Sequence, residues 1–177
     1  MDDISGWGAA ARSAQGGRDV DMSAPPDLDF VISAYDPDTF AELVDLWVAS
    51  WKATSPDIDF DARRLWFLGH LELMRSEGVH ILVASRQAGG PLAGFVTIAP
   101  ATGYLDQLAV SPAFWGRGAA EALMAAARAQ SASRIVLDVN QDNARAVAFY
   151  RRLGFAITSE GRNPVSKRAI WRMEWQG

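Results

Sequence analysis

A strand-like segment followed by a glycine-containing loop and an alanine-rich helix constrains this chain more than any other feature. The apolar run 104–110 is short enough for a buried strand, and Pro112 ends it because proline offers no donor to a neighbouring strand. Glycines on both sides of Arg117 let the backbone approach a ligand closely. The helix predicted from Ala119 onward begins with unpaired N–H groups at its positive end. The segment therefore predicts a phosphate site, with a structural turn as the alternative.

A second segment, further along the chain, repeats the order of strand and helix. Residues 134–140 are strand-like, and Asn143 is a favourable N-cap for the helix that follows them. Gly154 stands where a helix commonly ends in a left-handed residue. Asn143 and Tyr150 share one helix face two turns apart, so a site along that face can contact both. The alternative is that Tyr150 is an aromatic core residue.

These two segments resemble the GCN5-related N-acetyltransferase (GNAT) family. The hexapeptide WGRGAA at 115–120 resembles the family's Q/R-x-x-G-x-G/A pyrophosphate loop, and 143–155 resembles its N-x-x-A-x-x-F/Y-Y-x-x-x-G-F signature. Trp115 departs from the family's Gln or Arg, at a position that mainly offers backbone to the ligand. The resemblance covers roughly residues 29–176 and is specific in these two segments. It implies an acetyltransferase with acetyl-CoA as co-substrate.

The resemblance also implies roles for individual residues. The strands 104–110 and 134–140 would splay apart, with the pantetheine arm paired to the backbone of Leu108 and Val110. The N–H of Leu108 would stabilise the oxyanion of a tetrahedral intermediate, and Tyr150 would protonate the leaving thiolate. Arg117 would bind a phosphate oxygen, or alternatively is a solvated loop arginine. The implied cofactor contacts are Leu108, Ala109, Val110, Trp115, Gly116, Arg117, Gly118, Ala119, Ala120, Asn143 and Tyr150.

The group that accepts the proton of an amine substrate is less well defined. Many members of the family use a Glu on the central strand, where this chain has Tyr104. Asp106 would lie on the same strand face and can accept the proton directly or through water. Its alternative is substrate binding or a structural hydrogen bond. His70, on the second predicted helix, is a further candidate, with a packing or surface role as its alternative.

The predicted elements run in the order β-α-α-β-β-β-α-β-α-β-β. This order predicts an α/β fold with a mixed, mostly antiparallel central sheet and helices on both faces. Two β-α-β passages predict parallel neighbours in the middle of the sheet. Residues 1–27, rich in Gly, Ala, Ser and Asp, are expected to form a flexible tail, and 28–177 a single GNAT-like domain.

Composition excludes several classes of function. The net charge is −4 without a basic cluster, so no nucleic-acid partner is predicted. The chain has no cysteine, which excludes thiolate metal sites and an acyl-cysteine intermediate, and no metal is predicted. No apolar run reaches the length of a membrane span, and the N-terminal residues lack the apolar core of a secretory signal. We therefore expect a cytoplasmic protein without a membrane partner.

The sequence predicts direct transfer of an acetyl group from acetyl-CoA to a primary amine of a small molecule or peptide, through a ternary complex. The alternatives are another acyl-CoA donor and a non-catalytic acyl-CoA-binding regulator. Trp47, Trp51 and Trp66 fall in the region that the resemblance assigns to the acceptor and favour an apolar amine, whereas the negative net charge and Asp106 favour a cationic one. A homodimer formed through the last strands is compatible with either acceptor.

Overall fold

The structure, a computed structural model, describes residues 30–131, 133–164 and 166–177. Across these residues, the strands and α-helices follow the predicted order. The strands are β1 Val31–Ala34, β2 His80–Ser85, β3 Leu92–Ile98, β4 Leu108–Val110, β5 Arg134–Asn140, β6 Ala156–Arg162 and β7 Ala169–Gln176. The helices are α1 Phe40–Thr54, α2 Arg64–Ser76, α3 Ala119–Gln130 and α4 Ala144–Arg152. The tail predicted over 1–27 lies outside the described residues.

Two antiparallel sheets form the centre of the fold, one in the order β1-β2-β3-β4 and the other in the order β5-β7-β6. They join where the chain approaches β4. There the Leu105 N–H donates to the Val136 carbonyl, and the Val136 N–H donates to the Gly103 carbonyl, both at 2.8 Å. The mixed, mostly antiparallel sheet is confirmed, but the predicted parallel neighbours are reduced to one bridge between Tyr104 and Val136.

The strand predicted over 104–110 is shorter than expected, because β4 comprises only Leu108–Val110. At Gln107 the backbone N–H donates to the Thr97 side-chain oxygen at 2.8 Å instead of to a backbone carbonyl. This side-chain bond interrupts the regular ladder between β3 and the segment before β4. Beyond the joint, β4 and β5 diverge and leave a wedge between them, here called the strand gap.

Backbone groups of β4 face the strand gap. Gln107 and Ser111 both hydrogen-bond to the β3 side, at 2.9 and 2.8 Å. In an antiparallel ladder, residues that hydrogen-bond to the neighbouring strand alternate with residues that do not. Ala109 is two residues from both Gln107 and Ser111, so its backbone also faces β3. Leu108 and Val110 therefore turn their N–H and C=O groups into the gap.

Helices cover both faces of the sheets, as predicted. Helices α1 and α2 pack on one face with Phe95 and Ala109, and α3 and α4 pack on the other with Leu108 and Val110. In β5 the side chain of Val139 belongs to the α3/α4 core. Because side chains alternate along a strand, those of its neighbours in β5, Asp138 and Asn140, face the α1/α2 side. Within the described residues, no helix is both long and apolar enough to cross a membrane.

Gly103, at the joint between the sheets, tolerates no side chain. Its φ is +70°, and an added Cβ would lie 2.2 Å from the Arg134 carbonyl oxygen. We expect Gly103→Ala to lower the free energy of unfolding by about 3 kcal/mol, because backbone strain and a backbone clash act together. Urea unfolding measures this loss.

Gly78→Ala is the matched control for the joint. Gly78 also has a positive φ of +77°, but an added Cβ meets no described atom within 4 Å. Gly78→Ala should lower the free energy of unfolding by only about 1 kcal/mol, because the left-handed backbone conformation disfavours a residue with a Cβ. Equal losses at Gly78 and Gly103 would contradict the steric constraint at the joint.

Candidate active site

A cavity of about 250 Å³, here called the first cavity, opens at the N-terminus of α3. One wall is the loop before α3 together with the first turn of that helix. Gly118 is the N-cap residue in a left-handed conformation, with φ +87°, and it has no side chain to cap the helix. The N–H groups of Ala119, Ala120 and Glu121 therefore remain for a ligand, next to the positive end of the helix dipole. This wall has the features of a phosphate site.

The opposite wall of the first cavity comes from α4, through Arg145, Phe149 and Arg152. Their spacing of four and three residues places them on one helix face. The two guanidinium groups add positive charge, whereas Glu121 on the facing wall opposes it. These three residues were not predicted as contacts, although the same spacing argument identifies their face.

The helix face predicted to contact the ligand is turned into the core instead. Tyr150 is 1% exposed and packs against Phe149 and Phe155, with ring centroids 5.3 and 5.4 Å away. Ala146 and Val147, on the same face, are also buried in the α3/α4 core. The apolar side chains of α4 thus determine its rotation, and this rotation presents the neighbouring face to the cavity.

Besides Tyr150, four predicted contact residues do not line the first cavity, and one of them, Leu108, only turns its backbone toward the strand gap. Arg117 is exposed outside the cavity walls, and its backbone N–H donates to the Phe114 carbonyl at 3.3 Å. Ala109 directs its backbone to β3 and its side chain to the α1/α2 core. Asn143 caps α4 as predicted, because its Oδ1 accepts from the Ala146 N–H at 3.1 Å.

The side chain of Trp115, and not only its backbone, makes contacts at the first cavity. Its Nε1–H donates to the Val110 carbonyl at 2.7 Å, and the Arg145 guanidinium lies 5.4 Å from its ring centroid. The indole therefore ties the loop before α3 to the edge of β4 that faces the strand gap. This bond accounts for a tryptophan at a position where the resembled family usually has Gln or Arg.

A second cavity, of about 480 Å³, lies on the α1/α2 side of the strand gap. It is bounded by the C-terminal end of α1, the loop after that helix and the turn between β5 and α4. Arg145 lines both cavities, so they adjoin at this side chain. Asn143, predicted as a cofactor contact, lines the second cavity.

A histidine–carboxylate pair lies on the same side of the sheets. His70 of α2 and Asp106, just before β4, are both largely buried, and His70 Nε2 lies 2.8 Å from Asp106 Oδ2. An ionised carboxylate only accepts, so next to ionised Asp106 the proton of a neutral His70 is on Nε2 and the lone pair is on Nδ1. Asp106 is only two residues from Leu108, which limits the distance between their Cα atoms to about 7 Å.

Neighbouring side chains hold this pair in place. Gln107 Nε2 donates to Asp106 Oδ2 at 3.0 Å, and the Trp47 indole N–H donates to Gln107 Oε1 at 3.2 Å. The ring of Trp66 stacks on His70 with centroids 4.8 Å apart, a contact that would stabilise an imidazolium. Trp47 is also fully buried. Trp47 and Trp66, two of the three tryptophans expected near the acceptor, therefore support this arrangement of polar groups.

Tyr104 lies near both strands at the narrow end of the gap. Its hydroxyl donates to Asp138 Oδ2 at 3.3 Å, and Arg172 binds both oxygens of the same carboxylate, at 3.0 and 2.9 Å. Burial raises the pKa of Tyr104 above its ordinary value, and the charges of Asp106 and Asp138 raise it further. Tyr104 is therefore a neutral hydrogen-bond donor that does not replace a carboxylate base.

Two tyrosines, the buried Tyr150 and the partly buried Tyr104, make the fold sensitive to alkaline pH. Burial raises the pKa of Tyr150 as well, so both it and Tyr104 resist ionisation in the folded state. Their full contribution to stability is present below the unfolded-state pKa near 10 and is lost as pH rises beyond it. The expected loss is about 1.4 kcal/mol per tyrosine per pH unit above 10.

Urea unfolding between pH 9 and 11 measures this slope, and the Tyr104→Phe/Tyr150→Phe double variant should flatten it. Tyrosinate absorbance recorded in parallel should rise for these two residues only as the protein unfolds. A rise near pH 10 in the folded wild type, lost in the double variant, would contradict their burial.

Comparison with known proteins places this geometry in a family. A model of the Acetyltransferase (GNAT) family matches residues 40–155. A search of curated proteins finds no match. Among solved structures, the chain resembles PaiA N-acetyltransferase from Thermoplasma acidophilum in complex with coenzyme A. The TM-score is 0.67 at 16% identity, covering 84% of this chain and 99% of that one.

Two further structures have the same fold. YjaB from Escherichia coli, in its apo form, has a TM-score of 0.65 and 23% identity, covering 84% of this chain and 99% of that one. YncA from Salmonella typhimurium, with its cofactor acetyl-CoA, has a TM-score of 0.60 and 19% identity, covering 84% and 94%. At these identities the structures support the fold alone. Because the family model matches more than half of the chain, the protein belongs to the GNAT family of acetyltransferases.

Proposed function

We propose that this protein transfers an acetyl group from acetyl-CoA directly to a primary amine of a small molecule or peptide, within a ternary complex. The observation that carries the proposal is the pair of cavities on opposite sides of the strand gap, which adjoin at Arg145. Donor and acceptor can thus approach the gap from different faces. Because the chain has no cysteine, an acyl-cysteine intermediate is excluded and direct transfer is favoured.

The first cavity and the edge of β4 are suited to the donor. We assign the pyrophosphate to the N–H groups at the start of α3, next to Arg145 and Arg152. The pantetheine arm would pair with the gap-facing backbone of Leu108 and Val110. The Val110 carbonyl already accepts from Trp115, but its second lone pair can accept from a pantetheine amide.

The N–H of Leu108 is the group we assign to the thioester oxygen. It faces the strand gap and is not used in the ladder to β3. A backbone donor held by a strand is already oriented before the oxyanion forms, so no reorganisation is needed at that moment. Loss of one such donor commonly costs about 3 kcal/mol of transition-state stabilisation.

We assign Tyr150 as the acid that protonates the departing thiolate, which requires that its hydroxyl reach the strand gap from the buried face of α4. A phenol is neutral at physiological pH and can act as a proton donor, and burial, which raises its pKa, keeps Tyr150 in that form. As the amine nitrogen bonds to the carbonyl carbon, the carbonyl electrons move to oxygen. Collapse of the intermediate breaks the C–S bond, and the thiolate sulfur takes the proton of Tyr150.

We assign His70 as the proton acceptor, with Asp106 as the carboxylate that orients it. Nδ1 of His70 would take one proton from the substrate ammonium and leave a neutral amine with a lone pair for attack. The nitrogen loses its second proton as the amide forms, and this proton returns to Tyr150 through solvent. Asp106 would stabilise the imidazolium, so its contribution would be exerted through His70.

Tyr150→Phe should lower kcat at least tenfold and leave the affinity for acetyl-CoA unchanged, because only the proton donor is removed. Release of CoA from acetyl-CoA with a panel of amines measures turnover, and a thiol reagent suits this assay because the protein has no cysteine. Tyr35→Phe, at a tyrosine just after β1, is the control. Weakened binding with unchanged kcat would reverse the assignment. Acetyl-CoA binding without release to any amine would contradict transfer and favour a regulator.

His70→Gln should lower kcat/KM about a hundredfold at neutral pH and abolish the decline in rate toward acid pH. Asp106→Asn should lower the rate less, because His70 remains present. The matched control is His80→Gln, since His80 is exposed on β2 and bonds to Gln130 at 2.8 Å. A variant of His70 that keeps the wild-type rate–pH profile would place the base elsewhere.

A further inference from the structure

The second cavity contains a buried polar atom that the described part of the protein leaves unsatisfied. Asn140, the last residue of β5, is 4% exposed, and its Oδ1 has no hydrogen-bond partner among the described residues. Its side chain faces the α1/α2 side and lines the cavity. A buried acceptor without a partner destabilises the fold, and an amide oxygen can only accept. Asn140 lines the cavity but its Oδ1 lies beneath the cavity surface, so a rotation of the amide offers this acceptor to an N–H donor on a ligand.

Charges of both signs surround this atom. Asp57 and Asp142 line the cavity together with Arg145 and Arg168. The closest approach of Arg168 and Asp142 is 3.6 Å, which is too long for a hydrogen bond. Arg168 thus forms an ion pair with Asp142 without a hydrogen bond, and its N–H donors can still make a paired, charge-assisted contact with a ligand carboxylate.

We propose that the second cavity binds the acceptor as a small zwitterion, a primary amine with a carboxylate within a few bonds of it, as in a free α-amino acid. The ammonium group donates to Asn140 Oδ1 and is attracted by Asp57, and the carboxylate binds Arg168. This inference rests on the proposed function and names its acceptor class. The amine then lies on the same side of the sheets as His70 and Asp106.

Other amine classes fit this lining less well. A polyamine has no anionic group that could bind Arg145 or Arg168. A neutral aromatic amine has no charge that could interact with these arginines or with Asp57 and Asp142. An N-terminal amine of a peptide has an amide, rather than a carboxylate, at the neighbouring position. A cavity of about 480 Å³ is in the range that accommodates a small ligand.

The first test compares the twenty common L-amino acids with their α-carboxamides, with spermidine and with aniline, as acceptors in the CoA-release assay. At least one free amino acid should have a kcat/KM more than tenfold above that of its carboxamide. Arg168→Gln should abolish this preference. Arg86→Gln, at an exposed arginine after β2, is the control and should retain it. Preference for a carboxamide, spermidine or aniline would overturn the proposal while leaving acetyl transfer intact.

The second test separates a ligand contact from a structural role of Asn140. Asn140→Leu removes an unsatisfied oxygen at similar volume, so the melting temperature should rise. The KM for the amino acid should rise at least tenfold, whereas the KM for acetyl-CoA should not change. Lower stability with an unchanged acceptor KM would make Asn140 a structural residue and overturn the assignment.

Direct binding decides the case in which no acceptor is acetylated. Calorimetric titration of the amino-acid panel into the wild-type protein with CoA present should show a bound amino acid. The Arg168→Gln and Asn140→Leu variants should lose that heat. Binding without turnover would contradict acetyl transfer and retain the zwitterion site, whereas the absence of binding would overturn the site itself.

Discussion

Two backbone hydrogen bonds at one end of the sheets determine what the rest of the molecule can do. Gly103 and Leu105, in the segment before β4, bond to Val136 in the first half of β5, and the two sheets separate from that point onward. Had the ladder continued, Leu108 and Val110 would have satisfied their backbone groups against β5. Because it stops, the edge of β4 that faces the gap keeps backbone groups for a ligand. Divergence of the strands thus creates the site.

The two faces of the gap differ in chemistry because side chains alternate along β4 and β5. On the α3/α4 face, Leu108, Val110 and Val139 are apolar and pack against small residues of α3. On the α1/α2 face, Asp138 and Asn140 bring polar groups to the gap. A positively charged cavity therefore lies near one face, and a cavity with charges of both signs lies near the other. This difference suits an anionic donor and an acceptor that enters separately.

Local sequence patterns predicted the element order and the α3 N-terminus, because turn residues and apolar spacing act over short distances. The contact of His70 with Asp106 joins residues 36 positions apart, and no local pattern predicts such a pair. Spacing alone also did not determine the rotation of α4, since it defines one face with Tyr150 and a neighbouring face with Phe149, and either aromatic residue can face the core. Which of them lines the cavity depends on packing against α3 and β5. The interruption of β4 at Gln107 similarly depends on Thr97 of another strand.

Buried polar groups along the strand gap differ in whether the fold itself supplies their hydrogen-bond partners. Asp106, Gln107 and Asp138 are at most 9% exposed, and each has hydrogen-bond partners that offset its desolvation. Asn140 is buried to a similar degree, yet its Oδ1 has no partner in the described part of the chain. A fold selected for stability alone would favour an apolar residue here, because removal of an unpaired acceptor stabilises a protein. The acceptor-binding role proposed for Asn140 in the second cavity accounts for a polar group that the fold itself does not require.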